Sequence, residues 1–248
     1  MDVISLLTPS SMFHVHTSRC GHAFEGVSDE EIIQAALSLG ADKIIFTDHA
    51  PFPEDPFGNR MKISQLEEYI GTLCKLKRKY KGLITVFTGL EIEYLPSYDD
   101  YYKELKSIPG LDLLVLGQHF FEDEDGSMVF SNSEMEWYGC SKAVINGCKT
   151  GYFDVIAHPT RQFRLIRKKH LLSEQLKIIR EIHDVSVDCS VPLEYNLSCM
   201  ETEFYDRPEL WDLIDEFKSD VIVGLDAHDL ESLKSRYIIQ QNLFQFTC

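Results

Sequence analysis

The sequence is first informative for what it lacks. No run of 18 or more apolar residues occurs, so no membrane-spanning helix is expected. Residues Met1 to Ser11 carry neither a basic stretch nor a long apolar one, so no secretory leader is expected. Seven cysteines are scattered with no C-x-x-C spacing. An odd, unpatterned set fits free thiols in a reducing cytoplasm better than a disulfide framework. Basic residues are few: 24 Lys and Arg against 40 Asp and Glu give a formal charge of −16. Such a surface repels polyanions, so no nucleic-acid polymer is expected as a partner. A small anionic substrate is still allowed, because bound divalent ions reverse the local sign. There is no internal repeat, no low-complexity tract and no linker rich in Pro, Gly or Ser. The 248 residues, 44% hydrophobic, suit a single domain spanning 1–248 with ample core. Homo-oligomer formation stays open.

What is present alternates strand and helix along the whole chain. Near the N-terminus, after a short polar lead-in, stands Phe13-His14-Val15-His16-Thr17, soon followed by Cys20-Gly21-His22. If Phe13 to Thr17 is a strand, its side chains alternate and both histidines point the same way. Two imidazoles so spaced can hold one metal ion from one side. Ser28 with Glu31 marks a capping box opening a helix that Gly40 closes. A strand over Lys43 to Thr47 runs into Asp48-His49-Ala50-Pro51-Phe52-Pro53. Ser64 with Glu67 reads as a helix start, and that helix ends near Lys81. A strand over Leu83 to Thr88 leads to Gly89-Leu90-Glu91-Ile92-Glu93-Tyr94. A short helix near Tyr98 to Ser107 precedes a strand over Leu113 to Gly117, which delivers Gln118-His119. The acidic stretch Glu122 to Asp125 reads as a solvated loop.

A helix from about Ser133 to Lys149 leads to a strand over Phe153 to Ala157, delivering His158-Pro159. A basic cluster follows: Arg161, Arg164, Arg167, Lys168 and Lys169. A helix after Ser173 runs to about Asp184, and a strand lies near Leu193 to Asn196. Asp206 and Glu209, with Pro208, mark another helix start. A strand over Asp220 to Gly224 delivers Asp226-Ala227-His228, and a helix from Leu230 to about Asn242 ends the pattern. Apolar strands separated by helices indicate parallel strands covered on both faces. The expected architecture is α/β: a distorted seven-stranded (β/α)7, TIM-barrel-like fold. In such barrels chemistry sits at the C-terminal strand ends.

Those ends carry His14, His16, His22, His49, Glu91, His119, His158, Asp226 and His228. Seven of the chain's nine histidines are in this set. A lone strand-end histidine is more simply a core residue. Histidines or carboxylates at the ends of six strands make chance a poor account. Zinc usually takes about four ligands, so these residues would serve two or three divalent ions, with Glu91 as the natural bridging carboxylate and Glu93 its rival. Imidazole and carboxylate ligation suits Zn, Fe or Mn. Such clustered ions activate water and clamp phosphoryl oxygens, which points to phosphoester hydrolysis. Arg161, three residues past His158, is a candidate phosphate contact, weighed evenly against a solvated basic face. Arg167, Lys168 and Lys169 read as solvated. Cys20 reads as a bystander thiol, and Tyr94 and Phe52 as core or pocket lining.

The order and spacing of these motifs, from His14 to His228, resemble the PHP (polymerase and histidinol phosphatase) superfamily. Asp48-His49-Ala50-Pro51-Phe52-Pro53 and Gly89-Leu90-Glu91-Ile92-Glu93-Tyr94-Leu95-Pro96 look most like its histidinol-phosphatase branch. The resemblance implies a PHP fold with three metals. By it, His14, His16, Glu91 and Asp226 would hold one ion, Glu91, His119 and His158 a second, and His22, His49 and His228 a third. Glu91, Asp226 and His228 would be catalytic. A hydroxide shared by two ions would attack phosphorus, and L-histidinol phosphate, late in histidine biosynthesis, would be the small phosphorylated substrate. Other small phosphoesters and a non-enzymatic metal-binding domain are the alternatives. The chain departs from the family pattern after His158, where Pro159-Thr160-Arg161 stands, and before Asp226, where Leu225 stands.

Overall fold

The computed structural model describes residues 3–130, 133, 135–166, 171–201, 207–217 and 219–245. Arg167, Lys168 and Lys169 of the basic cluster, and the expected helix cap Asp206, lie outside the described residues.

In chain order the elements are β1 (Ser11–Val15), α1 (Asp29–Ser38), β2 (Lys43–His49), α2 (Leu66–Lys79), β3 (Thr85–Ile92), α3 (Asp99–Ser107), β4 (Leu113–Leu116), β5 (Phe120–Glu122), β6 (Met128–Phe130), α4 (Trp137–Lys149), β7 (Val155–Ile156), α5 (Ser173–Cys189), β8 (Leu193–Asn196), α6 (Leu197–Met200), α7 (Pro208–Phe217), β9 (Val221–Gly224) and α8 (Leu230–Gln245). Seven strands follow chain order through one sheet, β1-β2-β3-β4-β7-β8-β9. The registered pairs in that sheet are parallel. This is the topology of a (β/α)7, TIM-like barrel.

Two compact units divide the chain. The first comprises Met1–Glu91, Ile108–Leu113 and Val223–Cys248, and the second Ile92–Ser107 and Leu114–Ile222. In the first unit Ile44, Ile45 and Phe46 of β2 are fully buried, with Leu73 and Tyr69 of α2. Each such side chain stabilises by about 1.5–3 kcal/mol relative to exposure. α1 opens with the expected capping box, Ser28 accepting from the Glu31 N–H and Glu31 from the Ser28 N–H. The residues just past β9 run alongside β1 in the same direction. Val15 bridges Ala227 in parallel, and the Leu225 N–H donates to the Phe13 carbonyl at 2.8 Å. Leu225, a departure from the family pattern, is therefore a buried strand-edge residue. Gly89 is required sterically, because a Cβ there would lie 2.7 Å from Leu113 Cδ2.

In the second unit Val115, Leu116, Val155, Ile156 and Leu193 are buried along the strands, and Ile178, Ile179 and Ile182 along α5.

Three expectations need correction. The acidic stretch is a loop only in part: Glu122 lies in β5, and Asp123 to Gly126 form the turn of an antiparallel hairpin with β6. The carboxylate of Asp123 caps its turn by accepting from the Ser127 N–H at 2.9 Å, with Gly126 at φ +85°. Ser64 does not cap α2. A 3₁₀ turn, Ile63–Gln65, comes first, and Gln65 Oε1 takes the Lys62 N–H while Asp55 takes the Ile63 N–H. β3 starts later and runs further than expected, so Glu91 is inside it. Exposed Leu83 has no packing reason to join the strand.

Candidate metal centre

Strand alternation was to place His14 and His16 on one face of β1. The structure reaches the same result another way. β1 ends at Val15, and its register against β2 slips between Met12 and Val15. His14 occupies the left-handed region at φ +65°. The two rings end 5.1 Å apart. Asp226 (φ +47°) and His158 (φ +30°) are also left-handed. Non-glycine residues held in this region cost of order 1–3 kcal/mol each and cluster where function demands it.

In the first unit these side chains converge on two carboxylates. Glu91 Oε2 lies 3.3 Å from His14 Nε2, 3.6 Å from His16 Nε2 and 3.0 Å from His49 Nδ1. Asp226 Oδ1 lies 3.7 Å from His14 Nε2 and 3.3 Å from His16 Nε2. His228 stacks on His16 at 4.2 Å, and His22 lies 5.4 Å from His49 and 5.0 Å from His228, between ring centroids. Potential ligand atoms of His14, His16 and Asp226 fall within 4.8 Å of one another, as do those of His16, His49 and His228.

The electrostatics fit a cation. Burial, then the neighbouring His228, pushes His16 well below the usual histidine range, so it is a neutral donor. Burial would raise Asp226, but His14, His16 and His228 hold it well below the usual carboxylate range. Nε2 of His16 is buried and has no hydrogen-bond partner among the described residues. A buried polar atom without a partner costs about 1–3 kcal/mol, and a bound cation removes that cost. The nearest donors are imidazole nitrogens and carboxylate oxygens, which suit Zn, Fe or Mn.

Backbone carbonyls set two tautomers. His22 Nδ1 lies 3.0 Å from the Cys20 carbonyl, and His228 Nδ1 lies 3.1 Å from the Asp226 carbonyl. An Nδ1–H donated there leaves Nε2 as the ligating atom. Gly21, at φ +76°, makes the turn that carries His22.

In the second unit His119 and His158 meet edge to face at 5.1 Å. Glu93 is fully buried and its Oε1 lies 2.9 Å from His119 Nδ1. Glu93, the rival bridge, thus orients a histidine, whereas Glu91 gathers three imidazoles. The His158 N–H donates to Glu194 Oε2 at 2.8 Å, and Asn196 Nδ2 to the same oxygen at 2.9 Å. Arg161 opens a 3₁₀ turn, Arg161–Phe163, and its N–H donates to the His158 carbonyl at 2.9 Å. Its Nη1 is buried with no hydrogen-bond partner among the described residues. Gln162 pins the turn through the Pro159 carbonyl and Ser141, and buried Arg207 donates to the Phe163 and Ile166 carbonyls.

Residue patterns alone did not reveal Asp48, Glu194, Gln162 or Arg207 as supports. Only Asp48 carried a signal, standing beside His49 in the strand-end motif. Cys20, read as a bystander thiol, is fully buried, and its Sγ lies 3.4 Å from His16 Nδ1. Phe52 is core, edge-on to Phe57 at 5.2 Å. Tyr94 packs against Tyr102 and Phe153. His183 bonds Asp184 and Ser219 and joins no ligand group among the described residues.

Comparison with known proteins adds to this geometry. A model of the PHP domain matches residues 13–198. The chain is 28% identical over 234 residues to a probable histidinol-phosphatase of Deinococcus radiodurans, covering 87% of this chain and 85% of that protein. It is 30% identical over 145 residues to the histidinol-phosphatase of Bacillus subtilis, covering 54% and 52% of the two chains. Among solved structures it resembles hisK from Listeria monocytogenes, with a TM-score of 0.74, 20% identity, and 90% and 96% of the two chains covered. It also resembles histidinol phosphate phosphatase from Lactococcus lactis, solved with Zn, L-histidinol and phosphate, with a TM-score of 0.68, 17% identity, and 94% and 92% covered.

Proposed function

Because the chain belongs to the PHP domain family, we propose that it is a metal-dependent phosphomonoesterase, a single domain that hydrolyses L-histidinol phosphate to L-histidinol and phosphate. The observation that carries the reading is the first-unit cluster. Glu91 and Asp226 gather His14, His16 and His49, and the buried His16 Nε2 has no hydrogen-bond partner. The substrate is taken from the relatives named histidinol-phosphatase.

Two or three divalent ions would be held, by the ligand sets the family resemblance implies. Bound divalent ions supply Lewis acidity and charge neutralisation for phosphoryl transfer to water. The chain's own residues do the rest. His22 and His228 present Nε2, fixed by their carbonyl bonds. Asp226 supplies a carboxylate kept ionised by its imidazole neighbours. Arg161, with a buried Nη1 free of hydrogen bonds, takes a phosphate oxygen, and the pinned Arg161–Phe163 turn holds it in place. A charge-assisted guanidinium–phosphate bond stabilises by about 1.5–3 kcal/mol.

The test is phosphate release from L-histidinol phosphate beside sugar and nucleotide monophosphates, after chelation and re-addition of Zn, Mn or Fe. Selective, metal-restored turnover of histidinol phosphate is expected. Metal-restored turnover of another ester only would keep the chemistry and discard the substrate. Bound metal without turnover of any ester would make the chain a metal-binding domain.

A further inference from the structure

Cys20 sits at a junction of three hydrogen bonds. Its Sγ lies 3.0 Å from Asp48 Oδ1, 3.4 Å from His16 Nδ1 and 3.3 Å from the His49 backbone nitrogen. Cys20, Asp48 and His16 are all fully buried. Asp48 also receives the N–H and the hydroxyl of Thr17. A carboxylate surrounded by donors is an acceptor, so the Cys20 S–H points at Asp48. The thiol has one proton, and it is used there. The sulfur then faces His49 N–H and His16 Nδ1 only as an acceptor. His16 must therefore carry its proton on Nδ1, which leaves the lone pair on Nε2. That is the buried nitrogen with no hydrogen-bond partner, beside Glu91 and Asp226.

The junction is anchored from outside. Arg19 Nη1 donates to Thr17 Oγ1 at 3.0 Å. The same guanidinium spans both oxygens of Asp29 at 2.9 Å and bonds Glu68. Asp29 and Glu68 lie in the first turns of α1 and α2. A continuous relay thus runs from two helix starts through Arg19, Thr17, Asp48 and Cys20 to His16.

We propose that Cys20 is a positioning residue of the metal centre: it relays Asp48 to His16, fixes the Nδ1–H tautomer and aims Nε2 at the ion. The proposal rests on the metal-centre reading above. A rival exists in the same atoms, because His16, Cys20 and Asp48 are close enough to ligate an ion themselves. In that case the sulfur would be a thiolate ligand and not a relay.

The experiment compares wild type, Cys20→Ser, Cys20→Ala and Asp48→Asn, each stripped by chelator and titrated with Zn²⁺ against a competing chelator. Imidazole ¹⁵N spectra of the Zn²⁺-loaded proteins report the His16 tautomer, and absorption of the Co²⁺-loaded proteins reports sulfur ligation. Cys20→Ala is expected to weaken one Zn²⁺ site by about 10–100-fold, the usual scale for losing a ligand's outer partner. It should also lose the uniform His16 Nδ1–H signature. Cys20→Ser, which keeps a donor and an acceptor, should restore both within a few-fold. Asp48→Asn, with no change in volume, should loosen the tautomer as Cys20→Ala does and serves if that variant does not fold. Wild-type affinity and tautomer in Cys20→Ala and Asp48→Asn would overturn the relay and leave the enzyme reading intact. A thiolate-to-Co²⁺ band in wild type, lost in Cys20→Ser, would overturn it in favour of ligation. Wild type that binds no Zn²⁺ would overturn the enzyme reading and the relay together.

Discussion

Two regions of the molecule bury a histidine among carboxylates, and they use it differently. At the end of β1, His16 is fully buried and bonded through Nδ1, while Nε2 faces Glu91 and Asp226 without a well-formed hydrogen bond among the described residues. On α5, His183 is 3% exposed and bonded through both nitrogens, Nδ1 3.0 Å from Asp184 and Nε2 2.7 Å from Ser219. A cleft of about 530 Å³ lies beside His183, lined also by Phe217 and Asp220, and none of the proposed ligands lines it. The informative feature is the unfilled valence of a buried imidazole. A histidine with both nitrogens satisfied holds structure together. One with a single buried nitrogen left over requires a further partner.

The largest effect should come from the shared carboxylate. Glu91→Ala is expected to cut kcat/KM by at least about 10³-fold, since metal-centred charge stabilisation contributes several kcal/mol. Circular dichroism should show a folded chain. Near-normal turnover would remove Glu91 from the bridging role and dissolve the contrast between the two regions.

His183→Ala should do the reverse. It opens a cavity under Phe217, whose ring lies 5.4 Å away, and strands the Ser219 hydroxyl. The expected loss is about 2–3 kcal/mol of stability, or roughly 5–10 °C in Tm. Specific activity of the folded protein should stay within about two-fold of wild type. A loss of activity without a loss of stability would mean that a satisfied histidine can also be functional, and the criterion would fail.

The proposed ligands were visible in the sequence because strand ends recur in register with His, Glu and Asp. Glu91 was visible even though its strand was read too short, because the Gly-Leu-Glu-Ile-Glu run alternates regardless of where β3 stops. The tautomer logic was not visible. Cys20 and Asp48 are separated by 28 positions and meet only once β1 and β2 pair. The left-handed His14 was hidden for a related reason: nothing in Phe-His-Val-His distinguishes a flat strand from one that slips register against its neighbour. The hairpin of β5 and β6 was missed because three-residue strands carry too little alternation to outweigh four acidic neighbours. Its turn chemistry, Asp123 to Gly126, was the better signal.

Arg161→Ala tests whether unfilled valence is a useful guide for cations as well. Like His16, Arg161 has a buried nitrogen without a partner. Loss of one charge-assisted bond to phosphate, about 1.5–3 kcal/mol, should raise KM by roughly 10–100-fold. kcat should change far less. An unchanged KM in steady-state assays would return Arg161 to the role of a capped loop residue.

The smallest effect should separate the two supporting carboxylates. Asp48 is fully buried and accepts three hydrogen bonds. The Asp184 side chain is 56% exposed and faces its neighbour on α5, His183. Exposed pairs of this kind contribute about 0–1 kcal/mol. Asp184→Asn should therefore shift Tm by no more than about 2 °C and leave turnover and metal content unchanged. The imidazole keeps Ser219 on Nε2, and water can take the place of the carboxylate on Nδ1. Asp48 is shut off from solvent by full burial. A large destabilisation in Asp184→Asn, measured by thermal unfolding, would show that His183 depends on its carboxylate as His16 does on the buried relay. Burial of the supporting group, and not its mere presence, would then cease to distinguish the two regions.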